Sequence, residues 1–240
     1  MSDVVTVDPL EAGREAYARK AWPEAYRLLQ EADDDGGLGP ADLEALAKSA
    51  WWIGLAGEAI VARERTYAIY IEQGNRSMAA MMALTLRREY GAKLARSVAQ
   101  GWLHRAEHLL EGEQESVAHG YLEIAHRELS FDRGDFEDAL AHLDRANEIA
   151  SRLDDPDLPV WAAMSRAEVI ATSGRLDEAF GLMEGAAAAA VGGELGPFTT
   201  GAVFCGVMPT LRRPRSREAS RRSRGTGWRG LGCSPTGSRT

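Results

Sequence analysis

The sequence predicts an all-α protein: an α-α superhelix of stacked helical hairpins, a solenoid, followed by a disordered C-terminal tail. Three observations predict it. An alanine set in a common local pattern recurs at Ala25, Ala59, Ala99, Ala139 and Ala179, at spacings of 34, 40, 40 and 40 residues, and a fixed period in that range is the signature of a repeat array. In the clearest copies apolar residues follow that alanine at four and seven positions, the spacing of one helical face. Polar segments rich in Gly, Asp and Pro interrupt the helical stretches, and no alternating apolar run of strand length stands between them.

Taken in order, the first unit is carried by "KAWPEAYRLLQEA" from Lys20, the second by "GLAGEAIVARERT" from Gly54 and the third by "LARSVAQGWLHRA" from Leu94. The fourth and fifth are clearest. "GDFEDALAHLDRA" from Gly134 and "GRLDEAFGLMEGA" from Gly174 match at Gly, the acidic pair, Ala, a large apolar residue and a second Ala. Upstream of these two turns stand further helical stretches, "SVAHGYLEIAHRELSFDR" and "PVWAAMSRAEVIATS", so each unit is helix A, turn, helix B. Glycine at 134 and 174 can take the left-handed conformation that ends helix A. Carboxylates at the start of helix B favour its dipole, and the small alanine lets the two helices approach closely. Breakers at 33–40, 72–75, 111–116, 153–159 and 192–197 separate the units, with Pro40, Pro159 and Pro197 placed to open the next helix. "FTTGAVFCGV" reads as a helix A whose helix B is missing. One hairpin cannot bury both its faces, so the hairpins stack into a right-curving solenoid whose concave face, built from A helices, offers a groove for a peptide. The expected organisation is an extension over 1–7, the repeat domain over 8–207, and the tail over 208–240.

The formal charge of −8 joins two opposite parts. From Met208 onward there are nine Arg, no Lys and one Glu, about +8, which leaves about −16 for residues 1–207. A body that acidic repels phosphate backbones and anionic membrane surfaces, so nucleic-acid binding, at most non-specific, rests on the tail. Cys205 and Cys233 have neither the number nor the spacing of a disulfide framework or a zinc site, which fits a reducing cytoplasm. The N-terminus lacks a signal-peptide pattern, and the longest apolar run, "AAAAAV" at 186–191, is too short to span a bilayer.

The pattern resembles tetratricopeptide repeats. It fits at Gly134, Phe136, Ala139, Leu143 and Ala146, at Gly174, Leu176, Ala179, Met183 and Ala186, and less closely at Gly13, Trp22, Ala25, Leu29 and Ala32. The 40-residue spacing exceeds the family's usual length of about 34, which longer loops between units would absorb. More narrowly, "GREAYARKAWPEAYRLLQEAD", "WLHRAEHLL", "GDFEDALAHLDRANEIASRLDDPDLPVWA" and "GPFTTGAVFCGV" resemble the repeat region of actinobacterial LuxR-type (MalT-like) helix-turn-helix transcriptional regulators. That resemblance covers about residues 8–207 and implies a regulatory, protein-binding role without the DNA-reading domain. It stops at Val207, after which Arg, Ser, Gly, Pro and Thr dominate, as they do in GC-rich codons read out of frame. The tail is therefore expected to mark a truncation or frameshift.

The sharpest enzyme-like string is "HRAEH" at 104–108, an inverted zinc-protease motif in which His104 and His108 stand one helical turn apart beside Glu107, with Glu184 as a conceivable third ligand. Against it, Ala99, Leu103, Ala106 and Leu110 form the core stripe of that helix, which leaves both histidines on its flanks. His119, His126 and His142 read as isolated surface or groove positions. There is no phosphate-binding glycine loop and no nucleophile elbow. The sequence therefore predicts no catalytic residue, no cofactor and no metal, and a protein or peptide partner held in a groove by Arg87, Glu123, Arg127 and Arg166.

Overall fold

The computed structural model describes residues 8–206, and the expectations about the extension and the basic tail fall outside them. The described residues form eleven α-helices and no strand: α1 (Pro9–Ala18), α2 (Trp22–Gly36), α3 (Pro40–Trp52), α4 (Ala56–Glu72), α5 (Arg76–Ala92), α6 (Arg96–Leu110), α7 (Val117–Arg133), α8 (Phe136–Leu153), α9 (Leu158–Thr172), α10 (Leu176–Gly192) and α11 (Pro197–Gly206). α1 and α2, α3 and α4, α7 and α8, and α9 and α10 pair as hairpins, which is the TPR-like architecture. Pro40 and Pro197 open α3 and α11, and Pro159 is the second residue of α9, positions where a missing N–H loses no helical bond. None of these helices is long and apolar enough to cross a membrane.

Each of the ten connections contains one residue with positive φ. Seven are glycines (37, 54, 74, 112, 134, 174 and 193), and the others are Lys20, Leu94 and Asp154. The left-handed conformation turns the chain back within a few residues and suits glycine, whereas a Cβ there meets the following carbonyl. Leu94 has φ 61° and is 74% exposed, so it carries the strain without a compensating core contact. Leu94→Gly is expected to raise stability by about 0.5–1 kcal/mol, the relieved strain exceeding glycine's extra freedom in the unfolded chain. Gly134→Ala, where an added Cβ would meet nothing within 4 Å, is expected to lower stability by about 1 kcal/mol through φ alone. Urea unfolding of both variants checks this; shifts of the same sign would contradict it.

The chain divides into two compact units, one running to Leu109 and the other starting at Leu110. In the first, Ala25, Leu29, Leu43, Ala47 and Ala59 are fully buried. Trp22 stacks on Trp52 with ring centres 5.5 Å apart, and Tyr67 meets Trp102 edge-on at 5.0 Å. These aromatic residues pack hairpin against hairpin. Arg14 of α1 grips Asp42 of α3 through two bonds of 2.7 Å. Arg63 of α4 is only 1% exposed and lies between two carboxylates, donating to Glu44 of α3 at 3.2 Å and to Glu89 of α5. Burial raises the Glu89 carboxyl above its ordinary range while the Arg63 charge pulls it down. Its second oxygen has no hydrogen-bond partner. On α6, Leu103, Ala106 and Leu110 are buried as expected, but Ala99 is only half-buried, so the third copy of the repeat sits less deeply than the others.

In the second unit, Ala139, Leu143, Ala146 and Ile149 of α8 pack on Ile124 of α7 and on Leu158, Ala162 and Val169 of α9. Gly120 of α7 is where α9 comes closest: a Cβ there would lie 2.2 Å from Leu158 Cδ2, and Leu158 is itself fully buried. Ala179 packs with Ala167 and Ile170, while Ala186, Ala187 and Ala190 of α10 meet Val203 of α11. The alanine repeat thus marks close helix contact at Ala25, Ala59, Ala139 and Ala179.

Candidate functional site

The α7–α8 hairpin concentrates polar side chains on one seam. Gly134, with φ 82° and ψ 11°, is the left-handed cap that ends α7, and Asp135 starts α8 by accepting the N–H of Asp138 at 3.1 Å. A hairpin folded about residue 134 places positions equidistant from it opposite one another. Ser130 accordingly donates to Asp138 Oδ2 at 2.5 Å. His126 faces His142, ring centres 5.4 Å apart and planes at 61°. Glu123 faces Arg145, whose Nε donates to Glu123 Oε2 at 2.8 Å. His142 crosses the seam as well: its Nδ1 lies 2.6 Å from Glu123 Oε2, and its Nε2 lies 3.5 Å from Asp138 Oδ2. The Asp138 carboxyl is held below its ordinary range, first by the Ser130 hydroxyl and then by the His142 and Arg charges around it.

The four groove residues expected from sequence are distributed as follows. Glu123 belongs to this seam and is half-buried. Arg166 of α9 reaches back to Asp144 of α8 and is half-buried. Arg127 is 3% exposed; its Nη2 donates to the Ser165 carbonyl at 2.9 Å and to Glu168 at 2.7 Å, so its guanidinium is enclosed between α7 and α9. Its Nε has no partner. Arg87 lies half-buried on α5 in the first unit.

The "HRAEH" string lies on α6 with His104 and His108 both exposed, and His104 Nε2 contacts Gln100 Nε2 at 3.1 Å. Among the described residues the group of His, Asp and Glu side chains placed to hold a metal ion is instead Glu123, His126 and His142, whose three ligand atoms lie within 4.8 Å of one another. His126 and His142 are thus not the isolated positions expected, because the turn at Gly134 folds them together. The signal was present as a Glu-x-x-His spacing at 123–126 and a histidine as far beyond Gly134 as His126 is before it.

No family model matches the chain, and no curated protein matches it. Solved structures do. A Rap protein complexed with competence and sporulation factor superposes with a TM-score of 0.56 at 13% identity, covering 73% of this chain and 51% of that one. The Rap conjugation gene regulator of plasmid pLS20, in complex with a Phr peptide, gives 0.57 at 15% identity, covering 77% and 56%. A thermophilic TPR protein of Thermus thermophilus gives 0.48 at 22% identity, covering 73% and 87%. At such identities the likeness is one of fold, and the chain spans about half the length of the two Rap proteins.

Proposed function

We propose that this chain is a cytoplasmic, non-enzymatic repeat domain that binds a protein or peptide segment, with Glu123 and Arg166 of the second unit and Arg87 of the first as candidate polar contacts, and with the enclosed Arg127 bracing α7 against α9. The observation that carries the reading is the hairpin array itself, a fold shared with two Rap proteins whose structures hold competence and sporulation factor and a Phr peptide. Charges of both signs, Glu123 and Arg166 half-buried and Arg145 exposed beside them, suit a polar, zwitterionic segment better than an apolar one. The stretches that resemble the repeat region of LuxR-type (MalT-like) regulators support a narrower reading, in which the array is the regulatory part of a transcriptional regulator.

The test is selection of peptides from a random displayed library on the purified full chain, followed by titration of the selected peptides against single variants. Arg166→Glu and Arg87→Glu, both on half-buried side chains, are expected to weaken the selected peptides by about tenfold or more. Arg127→Lys, which keeps the buried charge but not the guanidinium fork, is expected to act more weakly on binding than on stability. A library that enriches nothing, or peptides that bind every variant equally, would sink the proposal.

A further inference from the structure

We propose that Glu123, His126 and His142 form a binding site for a divalent transition-metal cation of the zinc type, a site that does not depend on the peptide-binding reading. The three offer one oxygen and two imidazole nitrogens, with ligand atoms within 4.8 Å of one another, all on half-buried side chains. That donor set suits a borderline cation; calcium and magnesium take oxygen ligands. Glu123 and His126 stand one helical turn apart on α7, and His142 is brought opposite by the Gly134 turn. Zinc bonds of about 2.0–2.2 Å place tetrahedral ligand atoms about 3.4 Å apart. Side-chain rotation closes the difference without moving either helix.

The surrounding groups match what such a site needs. His142 presents Nδ1 toward Glu123, and its other nitrogen lies 3.5 Å from Asp138 Oδ2. A carboxylate behind a ligating imidazole fixes the ring and makes it a better donor. Asp138 is itself anchored by the Ser130 hydroxyl at 2.5 Å. The fourth position falls to water.

Arg145 is the competitor. Its Nε donates to Glu123 Oε2 at 2.8 Å and its Nη2 lies 2.5 Å from His142 Nδ1. That nitrogen cannot serve both neighbours: the carboxylate requires it to carry a proton, the guanidinium requires its lone pair. A cation accepts lone pairs from Glu123 and His142 together and removes the conflict. The Arg145 side chain is 45% exposed and is free to swing into solvent.

The test is titration of the untagged full chain, stripped with chelator, with zinc chloride by calorimetry and with cobalt chloride by visible absorption. One equivalent per chain is expected. His126→Ala and His142→Gln should weaken binding by about tenfold or more, Arg145→Ala should strengthen it, and the double variant His104→Gln/His108→Gln should leave it unchanged. Circular dichroism confirms that each variant is folded. The proposal is overturned by a lack of saturable binding, by His126 and His142 variants that bind like the parent protein, or by loss confined to the His104/His108 variant.

Discussion

Arg63→Ala is expected to destabilise the first unit by about 3–5 kcal/mol at neutral pH, because it leaves the Glu89 carboxylate enclosed without its main counter-charge, while Glu44 keeps only Lys48. Arg63 is 1% exposed, and the side chains of Glu44 and Glu89 that flank it are 15% and 9% exposed. The loss should shrink on acidification. Burial raises the folded-state Glu89 carboxyl above 4.5, so its neutral form is favoured in the fold. Stability from that group is therefore fully present below its ordinary value and is lost as pH rises through the raised one. Removing Arg63 takes away the charge that most opposes this rise, so the variant's deficit is largest above the raised value. Urea unfolding of parent and variant at about pH 7.5 and about pH 5.5 measures it. A deficit under about 1 kcal/mol, equal at both, would mean that the charges are solvated after all.

Gly120→Val is expected to cost about 3 kcal/mol, the upper part of the range for overpacking. Valine's Cβ alone would come 2.2 Å from Leu158 Cδ2. Leu158 is fully buried among α7, α8 and α9, so its side chain has no space to yield into and the helices must separate. Gly120→Ala should be milder, since alanine's better helix propensity recovers about 1 kcal/mol. Leu158→Ala makes room, so the Gly120→Val/Leu158→Ala double variant should lose clearly less than the sum of the single losses. Additive losses in denaturant titrations would show that the clash is relieved elsewhere.

The parts of the fold legible in the sequence were those written in local chemistry. Gly134 and Gly174 mark turns because only glycine takes a left-handed φ without strain, and the proline at the head of α3, α9 and α11 marks a start. Lys20 and Leu94 stand at the same register of the repeat as Gly134, but hairpin geometry imposes on them a left-handed conformation that their residue types do not advertise. The site was less legible. Arg127 looked like a surface residue because arginine usually is one, and the closeness of α7 to α9, which Gly120 permits, is what encloses it. His126 and His142 looked solitary because sequence distance hides a pairing that only the fold about residue 134 produces. Glu123 stands out in the sequence as a charged helix A residue off the core stripe, without the histidine and arginine that share it.

The ten left-handed residues also give the chain a preference in chirality. A D-amino acid occupies positive φ as readily as an L-residue occupies negative φ. D-alanine placed by chemical ligation at Gly134, where φ is 82° and no atom crowds the new methyl group, should stiffen the turn that the L-enantiomer weakens. At Leu94 the mirror-image leucine would meet the same backbone unstrained. Every bend between the described helices is thus a place where ribosomal chemistry settles for an achiral residue or, three times, for the wrong hand.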